Sequence, residues 1–175
     1  MARICIVYAS TDGHTRKICE RLRESIEARG TQVELVCIQT VRAEDLPEFD
    51  KIVVGASIRY GRHSPRVVEF VNSNAQALHA KPSAFFSVNL VARKPQKNRP
   101  ETNPYVRKFL QRSRWRPQEL DLFAGKLDYP RYGAADRLMI RVIMWLTHGP
   151  VDPRAVVEFT DWSRVEAFAQ RVAAM

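Results

Sequence analysis

The sequence is poor in the residues that build disulfide frameworks and metal sites. It has three cysteines, Cys5, Cys19 and Cys37, and each lies in an apolar run or a helical pattern rather than in a paired motif. We therefore expect buried, reduced thiols, which favour a cytosolic protein over a disulfide-stabilised one. The four histidines are scattered without the spacing of metal ligands, so we expect no metal site.

Long hydrophobic runs, internal repeats and low-complexity segments are also absent. No apolar run approaches the roughly 20 residues that cross a bilayer, and the first residues do not follow the pattern of a signal peptide. We expect a protein that is not integral to a membrane. The 175 residues, of which 45% are hydrophobic, are enough for one domain over residues 1–175 and too few for two full ones.

Acidic residues are scarce in one part of the chain. The basic segment, residues 93–117, contains nine Lys or Arg side chains against Glu101 alone, within a chain of net charge +9 (28 basic and 19 acidic residues). Such a block favours an anionic partner: a phospholipid, a nucleic acid or a carboxylate substrate. A solvated basic loop is the alternative.

A loop rich in hydroxyl groups joins the first predicted strand to the first predicted helix. Ser10, Thr11 and Thr15 supply hydroxyl donors, Gly13 lets the backbone come close to a ligand, and the helix start adds unpaired N–H groups. These features predict a site for a single phosphate. The nucleoside triphosphate and dinucleotide patterns are excluded, since no Gly-Lys-Ser/Thr follows and only one glycine is present. An ordinary strand-to-helix turn with a hydroxyl cap is the alternative.

Apolar runs alternate with helical patterns along the rest of the chain. We predict strands at 32–38, 51–56, 83–88, 122–129 and 156–159, and helices at 15–29, 65–78, from 103 to before Pro117, at 136–148 and at 162–174. Apolar strands joined by helical crossovers imply a parallel sheet that is covered on both faces. Ligands bind beyond the carboxyl ends of such strands, so the loops after Tyr8, Val54 and Val88 are the candidate site.

The helix at 136–148 is mostly apolar and lies in a predicted helical insertion at about 130–153. Its basic side chains, Arg137, Arg141 and His148, share one helical face. A narrow basic stripe on an apolar helix favours a helix that lies in a membrane interface or against another chain, since it is too short to span. A buried core helix is the alternative.

With these features assembled, the chain resembles the flavodoxin-like family of FMN proteins, and within it the menaquinone-dependent protoporphyrinogen IX dehydrogenases of bacterial haem synthesis. The resemblance covers nearly the whole chain, and residues 12–16, 54–61 and 82–95 carry it. It implies an α/β fold: a doubly wound, parallel, five-stranded sheet with helices on both faces and an inserted basic and apolar helical region.

The resemblance also implies an FMN site. The phosphate would lie against the first loop, and the ring between the second and third loops. The implied cofactor-binding residues are Ser10, Thr11, Asp12, Gly13, His14, Thr15, Ser57, Ile58, Arg59, Tyr60, Gly61, Ser87, Val88, Asn89, Leu90, Val91 and Ala92. Asp12 replaces the common threonine of the family, so we expect its carboxylate to point away from the phosphate or to meet a cation such as Arg16.

The implied reaction oxidises protoporphyrinogen IX to protoporphyrin IX, with hydride transfer to the flavin and menaquinone or another membrane quinone as the acceptor. The substrate candidates are four cations that suit its two propionates: Arg59, Arg93, Lys94 and Lys97. No proton acceptor is assigned, and Tyr60 and Asn89 are the only catalytic candidates. A peripheral location at an anionic membrane surface, on the cytoplasmic side of the inner membrane, follows from the quinone, and a homo-oligomer stays open.

Two other functions compete with this interpretation. The first is another flavodoxin-like protein, either a quinone or NAD(P)H reductase or a one-electron shuttle. The second is a basic nucleic-acid-binding module, since Trp115 and Tyr105 lie among the arginines of the basic segment and are able to stack on bases. We expect no nucleic-acid partner.

Overall fold

Short apolar segments of the chain form eight strands, five of which build a parallel sheet. In the computed structural model, which describes residues 1–175, the strands are β1 (Arg3–Ala9), β2 (Gln32–Cys37), β3 (Lys51–Arg59), β4 (Arg62–His63), β5 (Ser83–Asn89), β6 (Glu119–Ala124), β7 (Lys126–Asp128) and β8 (Val156–Glu158). The parallel order is β2-β1-β3-β5-β6, and β4 pairs antiparallel with the end of β3. The seven residues of β5 are all buried, as expected for a strand that is covered on both faces.

Six helices cover the sheet or extend from it. They are α1 (His14–Glu27), α2 (Pro65–Ser73), α3 (Ala75–His79), α4 (Pro104–Arg112), α5 (Ala134–Leu146) and α6 (Trp162–Ala174). α1 and α6 pack on one face of the sheet, where Ile18 and Phe168 join the buried cluster around Phe86. α2, α3 and α4 cover the other face, where Val67 and Phe109 join the cluster around Phe85 and Trp115. The predicted fold class is therefore confirmed.

The chain between β6 and α6 leaves the main sheet. β7 and β8 form a separate antiparallel pair, and α5 lies between them in sequence. Met144 of α5 packs with Leu127 and Tyr129 in a small buried cluster of its own. The structure contains no helix with both the length and the apolar character needed to cross a bilayer.

Two predicted strands and two predicted helices differ from the structure. The helix predicted from 103 to before Pro117 ends at Arg112, because Ser113 already has an extended backbone. β3 continues to Arg59 because its last residues pair with Arg62 in a hairpin, so residues 56–59 are strand and not loop. The strand predicted at 122–129 begins at Glu119 and is broken at Gly125. The helix predicted at 65–78 is two helices, since Asn74 leaves the helical conformation and its side-chain amide donates to a carbonyl of α2.

Smaller predictions also have mixed outcomes. Asp161 caps α6, as predicted, by accepting hydrogen bonds from the N–H groups of Ser163 and Arg164. Cys5 and Cys19 are buried free thiols, but Cys37, at the end of the edge strand β2, is only half-buried. The expectation of three buried thiols is therefore wrong at Cys37.

Candidate active site

A cavity of about 500 Å³ is lined by residues that follow the carboxyl ends of the central strands. Its volume lies in the range of about 300–1,000 Å³ that is usual for small-molecule sites. Most of the predicted site residues line it: Ser10, Thr11, Asp12, His14, Thr15, Ser57, Ile58, Arg59, Tyr60, Gly61, Val88, Asn89, Leu90, Val91, Arg93, Lys94 and Lys97. Gly13, Ser87 and Ala92 are outside the lining, and the last two are buried behind it.

The first loop leaves the start of α1 open to an anion. Gly13 has a left-handed backbone (φ 86°), no side chain caps the helix, and its first turn carries no acidic residue. The backbone N–H groups of His14, Thr15 and Arg16 have no acceptor within the protein. Ser10 shapes the loop by accepting a hydrogen bond from the N–H of Gly13 at 3.1 Å. Unpaired N–H groups at the positive end of the helix dipole suit a phosphate, so the loop fits the predicted group.

The two charged side chains of this loop are held by other parts of the protein. The Asp12 carboxylate lies 3.8 Å from the Arg59 guanidinium, while Arg16 pairs with Glu20 one turn along α1 at 3.2 Å. The Asp12 carboxylate therefore meets a cation, as expected, but this cation is Arg59 and not Arg16. The His14 ring lies 2.7 Å from the hydroxyl of Thr160, and its burial lowers the pKa of this histidine.

The hairpin between β3 and β4 places Arg59 and Tyr60 at the edge of the cavity. Tyr60 and Gly61 both have left-handed backbones (φ 52° and 72°), as a two-residue hairpin turn requires. Arg59 donates a hydrogen bond to one carboxylate oxygen of Asp136 at 2.6 Å, and the Tyr60 hydroxyl donates to the other at 2.7 Å. The hydrogen bonds from Tyr60 and Arg59 lower the pKa of Asp136. The hairpin is thus joined to the first turn of α5.

A buried hydrogen-bond network holds the loop that follows β5. The Asn89 side-chain oxygen accepts from the N–H of Ala92 at 3.0 Å and from the amide of Asn103 at 3.1 Å. Its side-chain nitrogen donates to the Ser87 hydroxyl at 3.2 Å, and this hydroxyl lies 2.8 Å from Nε2 of His63. Because the oxygen is already occupied, Asn89 offers the cavity an N–H donor and no proton acceptor.

The burial of His63 predicts a loss of stability in acid. Burial lowers the pKa of this histidine from 6.5 to about 4. Between these two values the unfolded chain binds the proton and the folded chain does not, so stability is complete above pH 6.5 and falls as the pH approaches 4. We expect the wild type to lose up to about 3 kcal/mol more than His63→Gln over this interval in denaturant titrations. The exposed His148→Gln should behave like the wild type, and equal pH dependence of all three proteins would contradict the prediction.

Helix α5 forms an apolar wall of the cavity, which the sequence did not indicate. Met139, Ile140, Ile143 and Met144 line the cavity, and of these only Met144 is fully buried. The opposite side of the helix exposes a second set of apolar residues: Leu138, Val142, Trp145 and Leu146. The alternative of a core helix is therefore wrong. The apolar spacing was visible in the sequence, but the surface that the helix covers was not.

The predicted basic stripe of this helix is wrong at His148. Arg137 donates to the carbonyl groups of Tyr129 and Tyr132, both at 3.2 Å, and Arg141 donates to that of Val151 at 2.9 Å. His148 lies beyond the end of α5, where its backbone is left-handed (φ 57°). Arg137 and Arg141 lie four residues apart on one face of α5, and both hold chain segments that flank the helix.

The sequence and the fold of this chain are similar to those of known proteins. The Flavodoxin domain family matches residues 5–154. The chain belongs to the flavodoxin family. Membership of this family supports a flavin cofactor. A solved relative by fold is a short-chain flavodoxin associated with a PDU bacterial microcompartment (TM-score 0.58, 14% identity, 99% of this chain and 98% of that chain covered).

Two curated relatives match almost the whole flavodoxin-family chain. A protein from Escherichia coli (strain K12) named protoporphyrinogen IX dehydrogenase [quinone] is 44% identical over 96% of this chain and 93% of its own length. A protein from Leishmania major with the same name is 42% identical over 97% of this chain and 74% of its own length. Both alignments are long enough to include the cavity loops and α5.

The four predicted substrate residues differ in how far their charges are compensated by other protein groups. Arg93 donates to the carbonyl of Leu90 at 2.9 Å and to the Thr147 hydroxyl at 3.0 Å, and burial lowers its pKa. Arg93 therefore ties the loop after β5 to the end of α5. Lys94 and Lys97 line the same cavity without any acidic side chain within 4.0 Å. Their charges are the ones available to a ligand.

Several residues that line the cavity were not predicted from the sequence. The missed residues are Tyr105, Gly125, Lys126, Asp128, Arg131, Tyr132, Asp136, Met139, Ile140, Ile143, Met144 and Thr147. All except Tyr105 belong to the excursion that follows β6. The carboxyl end of β6 meets the same edge of the sheet as the other parallel strands, so the loop at Gly125 was the signal for this part. No signal in the sequence indicated that the excursion folds back over the cavity.

Proposed function

We propose that this chain is an FMN-dependent protoporphyrinogen IX dehydrogenase that passes electrons to a quinone such as menaquinone. The observation that carries the proposal is the 44% identity to the E. coli protein of that name over 96% of the chain. The cavity supports it, because its apolar wall and its free cations suit a largely apolar tetrapyrrole with two carboxylates.

The residues that line the cavity suit FMN. In the proposal, the open N–H groups at the start of α1 and the hydroxyl groups of Ser10, Thr11 and Thr15 hold the phosphate. The hairpin residues 57–61 and the loop residues 88–91 flank the ring. FMN supplies the two-electron chemistry when bound, and the protein supplies position and electrostatics.

The substrate is held by the apolar wall and by the lysines. Met139, Ile140 and Ile143 offer apolar contact to a tetrapyrrole face, and Lys94 and Lys97 offer charge to its propionates. Neither catalytic candidate is arranged as a base, since the oxygen of Asn89 is occupied and the hydroxyl of Tyr60 donates to Asp136. In the proposal both residues bind and orient, and the proton leaves through water or a substrate nitrogen.

An anaerobic absorption experiment tests the reaction. The purified protein should be yellow, protoporphyrinogen IX should bleach its flavin band, and menaquinone should restore the band. NADPH should leave the spectrum unchanged under the same conditions. Bleaching by NADPH and not by protoporphyrinogen IX would show that the chain is an NAD(P)H-dependent quinone reductase. A colourless protein that takes up no FMN would contradict both flavin functions.

The nucleic-acid alternative has lost part of its basis. The Trp115 side chain is buried in the core, where its N–H donates to the Ser83 hydroxyl at 3.0 Å, so it is unable to stack on a base. Tyr105 lines the cavity. The basic segment therefore presents cations without the interleaved aromatic surface that single-stranded nucleic acids require.

We also propose that the protein docks peripherally on the cytoplasmic face of the inner membrane, where its quinone is dissolved. The outer side of α5 supports this, since Leu138, Trp145 and Leu146 are 63%, 70% and 64% exposed. The basic segment adds charge that attracts anionic headgroups. Quinone would then reach the cavity next to α5, because the inner side of this helix forms the apolar wall of the cavity.

Charge on the outer side of α5 is expected to weaken membrane binding. Trp145→Glu combined with Leu146→Glu should weaken binding to vesicles of phosphatidylglycerol and phosphatidylethanolamine by at least about tenfold, because burial of each side chain contributes about 1.5–3 kcal/mol. Sedimentation with vesicles measures this, and FMN content should not change. A pair of charges on α6, at the exposed Ala167→Glu and Gln170→Glu, is the matched control. Unchanged vesicle binding together with loss of a dimer would instead make this side a subunit interface.

A further inference from the structure

We infer that Asp136 competes with the substrate's carboxylate for Arg59, and so determines how strongly the site favours a charged over an uncharged tetrapyrrole. The inference rests on the proposed function. Asp136 lies in α5 and is not among the site residues that were predicted from the sequence. Arg59 and Asp136 lie 77 positions apart in the chain and both line the cavity.

The pair occupies a place that a ligand is able to reach. The side chains of Arg59 and Asp136 are 40% and 19% exposed, and their nitrogen and oxygen atoms are 2.6 Å apart. An acid on the other side, Asp12, lies 3.8 Å from the same guanidinium. In the substrate-free protein the charge of Arg59 is therefore compensated twice, whereas Lys94 and Lys97 have no acidic partner within 4.0 Å.

An incoming carboxylate must share Arg59 or displace one of these acids. A guanidinium has five N–H donors, so geometry alone permits a second carboxylate beside Asp136. Electrostatics opposes this arrangement, because two like charges at one guanidinium repel each other. The substrate gains a larger share of the charge of Arg59 when Asp136, the nearer of the two acids, gives it up.

Asp136 has other support when it leaves Arg59. The Tyr60 hydroxyl donates to its second oxygen at 2.7 Å, independently of the arginine. Asp136 also lies in the first turn of α5, where the positive end of the helix dipole stabilises a carboxylate. Asp136 therefore keeps stabilising interactions after it leaves Arg59, and no buried charge loses all of its partners. When product leaves, the same carboxylate recovers Arg59, which favours release.

The competition predicts a selective gain of affinity. Asp136→Asn keeps the size of the side chain and an acceptor for Tyr60 but removes the competing charge. We expect it to bind protoporphyrin IX about three- to fivefold more tightly than the wild type, while the affinity for protoporphyrin IX dimethyl ester stays unchanged. Quenching of protein fluorescence in a non-ionic detergent measures both affinities on the FMN-loaded proteins. Glu101→Gln changes the net charge equally outside the cavity and should leave both affinities unchanged.

A double-mutant cycle ties the effect to Arg59. In an Arg59→Gln background, Asp136→Asn should give no further gain for the dicarboxylate. A gain that persists without Arg59, or an equal change for the acid and the ester, would overturn the inference and leave Asp136 as a wall-shaping residue. No increase in protoporphyrin IX affinity in Asp136→Asn would overturn it as well. A wild type that holds FMN but binds neither tetrapyrrole would instead overturn the proposed function, and this inference with it.

Discussion

Gly55→Ala is expected to destabilise the protein by about 3 kcal/mol, because the new methyl group would overlap an aromatic ring in the core. A Cβ at this position would lie 2.5 and 2.8 Å from the two Cε atoms of Phe86. The ring cannot swing aside, since it packs against Phe123 and Phe168 with centroid distances of 5.5 and 5.9 Å. Gly55 itself is fixed in β3, between β1 and β5.

Urea titration of the FMN-loaded proteins measures this effect. The unfolding midpoint of Gly55→Ala should fall without a change of slope, because the surface exposed on unfolding is the same. Gly133→Ala is the matched control, since no atom lies within 4 Å of its Cβ position and its backbone is not left-handed (φ −61°). Gly133 is the N-cap of α5 and alanine is a poorer cap, so we expect this control to lose no more than about 1 kcal/mol. Equal midpoints for the two variants would mean that the sheet adjusts around Phe86.

The sheet was predictable because its signals are local. The apolar runs at the start of β1, β3 and β5 have the length and composition of strands buried on both faces, and helical patterns separate β1 from β2 and β3 from β5. Once parallel pairing is inferred, the carboxyl ends of the strands must meet at one edge of the sheet. The loops after β1, β3 and β5 could thus be assigned to one cavity without any knowledge of distances.

The apolar wall was not predictable because it depends on contacts between distant parts of the chain. The sequence showed that α5 is apolar, but an apolar helix is compatible with a core, a membrane surface or a ligand wall. The choice is made by the path of residues 125–134, which carries α5 back over the cavity. The sequence also does not show which basic side chains are held within the protein. Arg93 and Lys94 are adjacent and both basic, but only the contacts of the folded chain distinguish them.

Arg93→Ala and Lys94→Ala are expected to have different effects, although the sequence predicts one role for both. Arg93 donates to Leu90 and to both the hydroxyl and the carbonyl of Thr147, at 2.9, 3.0 and 3.3 Å. Its loss leaves these acceptors without their charged donor, so Arg93→Ala should lower stability by about 2–3 kcal/mol and lower FMN content as well. Lys94→Ala should retain both, because its ammonium group has no acidic partner to lose.

Steady-state kinetics with protoporphyrinogen IX separate the two roles. Lys94→Ala should raise KM at least about threefold with little change of kcat, since a free cation contributes to substrate binding before and during the reaction alike. In Arg93→Ala the main change should be lost FMN, and activity per bound FMN should fall less than total activity. Arg93→Lys should restore only part of the lost FMN. The two guanidinium nitrogens of Arg93 reach both Leu90 and Thr147, which one ammonium group cannot do. If Arg93→Ala keeps its FMN and stability and raises KM as Lys94→Ala does, then Arg93 is a carboxylate ligand. The end of α5 must in that case be held by its packing against Leu127 and Tyr129 through Met144.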